Sequence, residues 1–255
     1  MSEVRTRVVP GQLPVAYPEL WSAPPRGPVL VLAPHQDDET FGCGGAILLH
    51  RAQGDPVSVH FVTKGDRGDP NGHYSGEDYV ALRETEARKA CRILGVEEVE
   101  FYGLPDGFFE AREDRVLPLS KRIREAVEAA RPGTVYYPWI GEAHPDHFAV
   151  ASAVERVAAG LSGVAFLGYE LWSACLPSAV LDVSAVFARK VEAARVYASQ
   201  LRYTDYVPVG IGLMTYRSLY LKNRGATHGE AFVQFEPPAR APRRSFLARM
   251  LGGRG

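Results

Sequence analysis

Two short clusters of histidine and carboxylate residues carry the side chains in this sequence that are best suited to metal chemistry. The first is Pro34–Glu39, with the sequence Pro-His-Gln-Asp-Asp-Glu, and the second is His144–His147, with the sequence His-Pro-Asp-His. Together they hold three of the seven histidines of the chain. A hydrolytic zinc site uses three nitrogen or oxygen ligands and leaves one position for water. These residue types therefore predict metal-assisted hydrolysis, if the fold brings the clusters together.

Within the two clusters, His35, Asp38 and His147 form the predicted ligand set. His35 and Asp38 are three residues apart at a predicted tight turn, so they can offer an imidazole and a carboxylate to one point. His147 would supply the third ligand from the second cluster. Two imidazoles and one carboxylate, without a thiolate, are typical of hydrolytic rather than structural zinc. The sequence thus predicts one Zn²⁺ per chain, while iron, cobalt or manganese remain open.

The other polar residues of the clusters receive catalytic or supporting roles. We predict that Asp37 is the general base, which takes a proton from the attacking water and returns it to the leaving amine. His144 is predicted to present an imidazolium to the developing oxyanion. Asp146 is predicted to hold the second ring nitrogen of a histidine.

Alternating apolar runs and amphipathic segments must position the two clusters. The predicted strands are Val29–Leu32, Val57–Val62, Val99–Tyr102, Thr134–Pro138 and Val164–Tyr169. The predicted helices are Ala46–Ala52, Asp78–Leu94, Leu119–Ala130, His147–Ala159 and Val186–Gln200. This alternation predicts an α/β, Rossmann-like fold with a mostly parallel sheet and helices on both faces. If the strand order is 3-2-1-4-5, both clusters meet at the carboxyl edge of the sheet, where ligands bind.

The composition is that of a single globular domain, residues 1–255. Hydrophobic residues make up 46% and charged residues 23%, and the net charge of −1 gives no general basic field for nucleic acid. No apolar run is long enough to cross a membrane. Residues 1–27 are proline-rich and predict a surface arm with a short helix near 18–22. Residues 240–255 predict a basic, solvated and disordered tail, with a membrane or partner contact as the alternative.

The cysteines bear on the compartment. Cys43, Cys91 and Cys175 are an odd number and widely spaced, which argues against a disulfide framework. We interpret them as small buried hydrophobic side chains. The amino-terminal residues lack the apolar stretch of a secretory signal. The expected location is therefore the cytoplasm.

The two clusters resemble the motifs of the LmbE-like, or PIG-L-like, family of zinc-dependent N-deacetylases. The family motifs are (A/P)HPDDE and HxDH, and Gln36 here replaces the usual proline. The resemblance covers roughly residues 28–236 and implies a Rossmann-like fold with the order 3-2-1-4-5. It implies the same metal ligands, general base and carbonyl-polarising histidine as above. It also implies hydrolysis of an N-acyl group, above all N-acetyl, on an amino sugar or a sugar-containing small molecule.

Positions outside the motifs are also similar to the family. Arg83 matches an arginine that faces the substrate, and Asp106 matches an acid that bonds sugar hydroxyls in sugar deacetylases. The alternatives are a helix-surface salt bridge for Arg83 and a simple turn residue for Asp106. Glu230 resembles the acid of a carboxyl-terminal Ala-Glu-x-Phe element, for which we expect a structural role. The family often forms oligomers, so the resemblance allows a homo-oligomer.

The sequence leaves the substrate open. The polar, glycine-rich segment Lys64–Gly76 is suited to a mobile lid. Trp172 and Tyr169 are compatible with a sugar-stacking wall and equally with the core. Some family members carry a tyrosine shortly before the second motif that assists the oxyanion. Here Trp139 and Glu142 stand in that region.

Three other functions compete with amide hydrolysis. The glycines of Gly42–Gly45 suggest a nucleotide-binding loop, but the spacing is not GxGxxG, and close helix–strand packing explains them more simply. A metal-dependent phosphoesterase would favour an oxygen-rich or two-metal site. A non-catalytic carbohydrate-binding protein would leave Asp37 beside a complete ligand set without a role.

Overall fold

The protein is described by a computed structural model, which covers residues 17–107, 113–221 and 225–236. The strands are β1 Glu19–Trp21, β2 Val29–Ala33, β3 Val57–Thr63, β4 Glu98–Leu104, β5 Thr134–Pro138, β6 Ala165–Tyr169, β7 Ala179–Asp182 and β8 Gly229–Gln234. The α-helices are α1 Asp38–Ala52, α2 Gly76–Leu94, α3 Glu113–Ala130, α4 Pro145–Ala158, α5 Phe187–Ala194, α6 Ala198–Leu201 and α7 Val207–Arg217. Two 3₁₀ turns lie at Ser184–Val186 and Ser218–Leu221. The predicted basic tail, 240–255, and residues 1–16 of the predicted arm lie outside the described residues.

These strands form one sheet in the order β1-β7-β8-β6-β5-β2-β3-β4. β8 runs antiparallel to both β6 and β7, whereas the other paired strands are parallel. The sheet is therefore mixed, and the predicted order 3-2-1-4-5 is wrong for the sheet as a whole. The five predicted strands are adjacent as β4-β3-β2-β5-β6, and β8, β7 and β1 extend the sheet beyond β6.

The amino-terminal arm contributes one of these extra strands. Glu19–Trp21 form β1 and pair in parallel with Ala179–Leu181 of β7. The Glu19 amide donates to the carbonyl of Ser178 at 2.8 Å. The short helix predicted near 18–22 is thus wrong, because the backbone of this segment pairs with the sheet edge instead of closing helical turns.

The sheet core explains why the central strands read as continuous apolar runs. Every residue of β2 and β5 is buried, as expected for parallel strands that are covered on both faces. Side chains of α1, α2 and α5 pack with one face. Side chains of α3 and α4 pack with the other. Both faces are therefore covered by helices, as predicted.

Helix α1 starts earlier than predicted, and the glycines that precede the predicted helix lie inside it. It begins at Asp38 rather than Ala46 and kinks at Cys43, where φ is −140° and ψ is 22°. A Cβ on Gly42 would overlap the ring of Tyr169, and one on Gly45 would lie 2.6 Å from a methyl carbon of Val183. These glycines allow α1 to approach its neighbours closely, which is the simpler of their two interpretations.

A buried ion pair forms hydrogen bonds with the backbone groups that the kink leaves without helical partners. Glu230 of β8 accepts hydrogen bonds from the amides of Gly45 (2.6 Å) and Ala46 (2.8 Å). Lys190 of α5 lies 2.7 Å from Glu230 Oε1 and also donates to the carbonyl of Phe41 at 2.7 Å. We call Lys190 and Glu230 the helix-break pair. Its contacts agree with the structural role expected for Glu230.

Three further features of the structure bear on predictions made from the sequence. All three cysteines are buried and free, in keeping with their interpretation as small apolar side chains. The predicted helix Val186–Gln200 is divided into α5 and α6. Among the described residues, no helix has both the length and the apolar character needed to cross a bilayer.

Candidate active site

The two histidine–carboxylate clusters meet at the carboxyl edge of the sheet. β2 and β5 are parallel neighbours. The first cluster directly follows β2, and the second follows β5 and opens α4. Because α1 and α4 pack on opposite faces, the chain leaves the two strands in opposite directions, and a crevice forms between them.

Three potential ligand atoms from these clusters face one another. Asp38 Oδ2 lies 3.2 Å from His35 Nδ1 and 3.2 Å from His147 Nε2, and the two nitrogens are 3.3 Å apart. We call these atoms the ligand triangle. Ligands of a tetrahedral Zn²⁺ with bonds of about 2.0–2.1 Å lie about 3.3–3.4 Å apart. The spacing and the donor types therefore fit a small tetrahedral cation, and all three residues are buried.

His35 also belongs to two other groups that could hold a metal ion. Ligand atoms of His35, His144 and His147 lie within 4.8 Å of one another, as do those of His35, Asp106 and Asp146. In the second group, both carboxylates contact Nε2 of His35, the ring nitrogen outside the ligand triangle, at 2.9 Å and 3.2 Å. A metal-binding histidine is usually held in this way through its second nitrogen. Asp146 thus occupies the position predicted for it.

The electrostatics of the ligand triangle favour a positive charge at its centre. Burial lowers the pKa of His35, but hydrogen bonds to carboxylates, first of all Asp106, outweigh this and raise the pKa well above its usual value. Burial also lowers the pKa of His147, yet the charge of Asp38 raises it to about 9. The carboxylates around these imidazoles therefore favour a positive charge on them. A metal ion must displace the protons that carry this charge in order to bind.

Asp37 lies beside the ligand triangle in a strained backbone conformation. Its φ is 139° and its ψ is −27°, a region that non-glycine residues rarely adopt and that is concentrated at functional sites. The carboxylate is buried, and Oδ2 lies 3.6 Å from Nη2 of Arg83. Burial raises the pKa of Asp37 to about 7, although the Arg83 charge opposes this. A carboxylate in this position is well suited to accept and release a proton.

A second buried carboxylate, that of Glu39, holds the backbone of Asp37 in position. Glu39 Oε2 accepts a hydrogen bond from the Asp37 amide at 3.2 Å. Glu39 Oε1 accepts hydrogen bonds from the hydroxyls of Thr40 and Tyr197. Tyr197, between α5 and α6, is 158 positions from Glu39 in the sequence and was not among the predicted site residues. No local pattern links the two residues, so the sequence alone carried no signal for this contact.

The predicted substrate residues, Arg83 and Asp106, line one cavity together with His35 and His147 of the ligand triangle. The cavity has a volume of about 320 Å³, and its walls include His35, Asp37, Arg67, Gly68, Arg83, Asp106, Gly107, His144, Pro145, His147, Trp172, Gln200 and Tyr206. This volume lies at the lower end of the range for small-molecule sites. The cavity therefore has room for a small substrate next to the ligand triangle.

Arg83 and Asp106 both have fixed positions in this wall. Arg83 is 2% exposed and donates to the carbonyls of Gln36 (2.6 Å) and Gly65 (3.3 Å), so it is not a helix-surface ion pair. Asp106 contacts His35, as described, and precedes Gly107, which has a φ of 67°. Asp106 therefore combines a turn position with a contact to a predicted ligand. Substrate binding by the two residues stays a prediction.

His144 lies at the start of α4 and caps it. Its Nδ1 accepts a hydrogen bond from the Asp146 amide at 3.2 Å. An imidazolium carries a proton on both ring nitrogens and cannot accept this bond. Burial lowers the pKa of His144, as do the charges of His35 and His147. The predicted imidazolium therefore does not fit this structure, whereas a neutral ring with its proton on Nε2 does.

Glu142 connects His147 of the ligand triangle to the loop that follows β6. Its carboxylate accepts hydrogen bonds from the amides of Leu171 (2.7 Å), Trp172 (3.3 Å) and Ser173 (3.3 Å). Glu142 Oε2 also lies 3.6 Å from Nδ1 of His147. Glu142 was not among the predicted site residues, because its partners lie about thirty positions further along the chain.

The two aromatic residues of this region have different environments. Tyr169 is fully buried, and its hydroxyl donates to the carbonyl of Leu32 at 2.9 Å. Trp172 is 42% exposed and lines the cavity. Tyr169 therefore belongs to the core, and Trp172 belongs to the wall of the site.

The glycine-rich segment Lys64–Gly76 borders the cavity through Arg67 and Gly68. The Tyr203 hydroxyl donates to Asp69, and Gln200 Nε2 donates to the carbonyl of Gly68 at 3.3 Å. These contacts anchor the segment to the region around α6. Its closure as a lid stays a prediction.

Comparison with known proteins supports this description. Residues 30–158 match the PIG-L family model, described as GlcNAc-PI de-N-acetylase. The chain is 33% identical over 133 residues to a probable N-acetyl-alpha-D-glucosaminyl L-malate deacetylase 2 of Bacillus subtilis (strain 168), a match that covers 50% of this chain and 59% of that protein. It is 29% identical over 193 residues to diacetylchitobiose deacetylase of Thermococcus kodakarensis, which covers 68% of this chain and 69% of that protein.

The fold is likewise similar to that of a solved structure. N,N'-diacetylchitobiose deacetylase from Pyrococcus horikoshii aligns with a TM-score of 0.70 and 24% identity, over 86% of this chain and 88% of that one. The family match contains both clusters of the site and therefore the whole ligand triangle.

Proposed function

We propose, from the premise that this chain belongs to the PIG-L family of GlcNAc-PI de-N-acetylases, that it hydrolyses the N-acetyl group of a small amino-sugar substrate. The observation that carries this proposal is the ligand triangle beside the strained, buried Asp37 in one cavity. The names of the two sequence relatives describe deacetylases of N-acetylated amino sugars. Because the match spans only 59% of the B. subtilis relative, the activity and substrate remain proposals for this chain.

We further propose that the ligand triangle binds one Zn²⁺ through His35, Asp38 and His147. Two imidazole nitrogens, one carboxylate oxygen and a spacing of 3.2–3.3 Å suit zinc with an open position. A bound divalent ion supplies Lewis-acid polarisation of the amide and a lower pKa for water. Asp106 and Asp146 would fix the orientation of His35 through its Nε2.

The residues around the ligand triangle suggest how the amide bond is broken. Asp37 would take a proton from the attacking water as the new C–O bond forms, and would then pass it to the amine nitrogen as the C–N bond breaks. The products are acetate and the free amine. The Nε2–H of a neutral His144 would donate to the oxygen that becomes negatively charged. Arg83, 3.6 Å from Asp37, would favour the ionised form of this base.

The test combines metal analysis with an acetate-release assay on N-acetylglucosamine. For Asp37→Ala, we expect retained metal and a loss of turnover of about a hundredfold or more, because the general base is missing. Asp78→Ala, which changes an exposed aspartate at the start of α2, is the matched control and should behave like the wild type. Wild-type protein that binds metal but releases no acetate from a panel of N-acetylated sugars would contradict the proposed reaction. The cytoplasmic location and a homo-oligomer remain predictions from the sequence.

A further inference from the structure

The two histidines of the ligand triangle are held unequally through their second ring nitrogens. Nε2 of His35 has two carboxylates within hydrogen-bond distance, those of Asp106 at 2.9 Å and Asp146 at 3.2 Å. Nδ1 of His147 is buried, and within the described parts of the chain it has no hydrogen-bond partner. The carboxylate of Glu142 lies 3.6 Å from it, which is slightly too far for a hydrogen bond. The contacts of His147 therefore leave one more bond to be made, whereas those of His35 do not.

The tautomer of His147 is fixed when its Nε2 is a metal ligand. A neutral imidazole that binds through Nε2 carries its proton on Nδ1. This N–H group is buried, and a buried donor without an acceptor is costly. The Glu142 carboxylate is the acceptor that faces it. A shift of about half an ångström would bring the two groups within hydrogen-bond distance.

The other contacts of Glu142 reach the wall of the cavity. Its buried carboxylate accepts hydrogen bonds from the consecutive amides of Leu171, Trp172 and Ser173. Of these residues, Trp172 lines the cavity. The hydroxyl oxygen of Ser173 also accepts from the amide of Ala143 at 3.0 Å. One carboxylate thus lies between a predicted metal ligand and the loop that forms part of the substrate cavity.

We propose that Glu142 is a positioning residue that couples metal binding at the ligand triangle to the loop that carries Trp172. In the metal-loaded protein, Nδ1–H of His147 donates to Glu142, and the same carboxylate keeps its three amide contacts. The proposal rests on the metal site of the proposed function, but it requires neither a substrate nor turnover. Because coupling between two sites is reciprocal, the contact that strengthens metal binding also holds the loop more firmly.

The first test measures the affinity for Zn²⁺, by competition with a chromophoric chelator, in the wild type and in Glu142→Gln. The glutamine keeps one acceptor oxygen for the loop amides but has no second acceptor for Nδ1–H of His147. We expect its affinity for Zn²⁺ to fall by about tenfold or more, as for other partners of metal-binding histidines.

The matched control for this change is Ser173→Ala. It removes the hydrogen bond to the Ala143 amide in the same loop and leaves the Glu142 carboxylate intact. Its affinity for Zn²⁺ should stay close to that of the wild type. The comparison separates a direct contact with His147 from a general loosening of the loop.

The second test measures hydrogen exchange at the amides of Leu171, Trp172 and Ser173, in metal-free and in zinc-loaded protein. In the wild type, we expect exchange to be about tenfold slower with Zn²⁺, the same factor by which the Glu142 contact strengthens zinc binding. In Glu142→Gln at saturating Zn²⁺, exchange at these amides should respond much less. A carboxylate that only held the loop would not make this exchange depend on zinc.

Three results would overturn the coupling. Equal zinc affinities of Glu142→Gln and the wild type would mean that His147 binds without this contact. An equal loss of affinity in Glu142→Gln and Ser173→Ala would assign the effect to the loop rather than to the carboxylate. Wild-type protein whose three amides exchange equally with and without Zn²⁺ would show that the loop does not respond to the metal.

The proposed reaction and the coupling can fail separately. Both measurements use Zn²⁺ alone, so the expected differences support the coupling even if no acetate is released from any N-acetylated sugar. Acetate release together with an unchanged zinc affinity in Glu142→Gln would support the reaction and refute the coupling. Wild-type protein that binds no Zn²⁺ would contradict both the proposed metal site and the coupling.

Discussion

Helix α1 connects two buried charged clusters whose charges are balanced in different ways. In the helix-break pair, Lys190 and Glu230 contact each other, and their remaining short contacts are backbone groups exposed by the kink at Cys43. In the ligand triangle, two imidazole nitrogens and one carboxylate oxygen face a common centre. The first cluster is complete as it stands, whereas the second has the geometry of a site that accepts a cation. Burial of charge alone therefore does not distinguish a structural cluster from a functional one, but the completeness of its contacts does.

The largest effect should follow from breaking the ligand triangle. His147→Ala removes one of the three ligands, so we expect loss of the bound metal and a fall in kcat/KM of about a thousandfold or more, comparable to the loss of an essential catalytic group. The folded state should persist, because the helix-break pair and the sheet are untouched. Metal content, acetate release and circular dichroism on the same sample check this. Full metal occupancy in the variant would assign the metal to the group of His35, Asp106 and Asp146, which does not contain His147.

Breaking the helix-break pair should affect stability instead. Lys190→Met leaves Glu230 as a buried carboxylate without its cation, and we expect the free energy of unfolding to fall by about 3–5 kcal/mol. The double variant Lys190→Met/Glu230→Gln should recover part of this loss, because the buried charge is gone and the amide oxygen still accepts a hydrogen bond from α1. Urea unfolding of the metal-free proteins measures both changes. Equal stability of Lys190→Met and the wild type would contradict the structural role of the pair.

The smallest of these effects concerns the residues behind Asp37. Tyr197→Phe removes the hydroxyl that donates to Glu39, which in turn accepts from the Asp37 amide. A misplaced general base should lower kcat by about tenfold while KM and metal content stay near their wild-type values.

The matched control for this change is Tyr136→Phe. Tyr136 is also fully buried, but its hydroxyl contacts His50 at 3.1 Å, near the other end of α1. It should leave kcat unchanged. Equal kinetic effects of the two substitutions would indicate a general loss of stability rather than positioning of Asp37.

The meeting of the two motifs was predictable because it depends on local signals. Each motif follows a short apolar run, and parallel strands direct their carboxyl ends to one edge, so the convergence of His35 and His147 follows from chain direction. The extra strands were not predictable in the same way. β8 lies between β6 and β7, and neither its own short sequence nor that of β1 indicates such distant partners. Pairing between distant segments is decided by tertiary contacts rather than by local propensity.

Within the site, the sequence located the residues but did not give their protonation states or their hydrogen-bond partners. The neutral form of His144 depends on one hydrogen bond to the backbone of α4, which no motif encodes. The position of Glu142 depends on three amides of a loop that follows the next strand. The motifs therefore located the residues that the structure brings together, while the hydrogen-bond partners of His144 and Glu142 required the folded geometry.

The order of synthesis decides when the kink in α1 obtains its hydrogen-bond partner. Glu230, which accepts from the Gly45 amide, lies 185 positions further along the chain. A ribosome releases the amino-terminal part first, so β2 to β6 can emerge while this carboxylate is still inside the ribosome. The first long helix of the described chain reaches its final hydrogen bonding only when the last strand arrives. The nascent chain thus contains both histidine–carboxylate clusters before α1, which carries Asp38, can form its hydrogen bonds to Glu230.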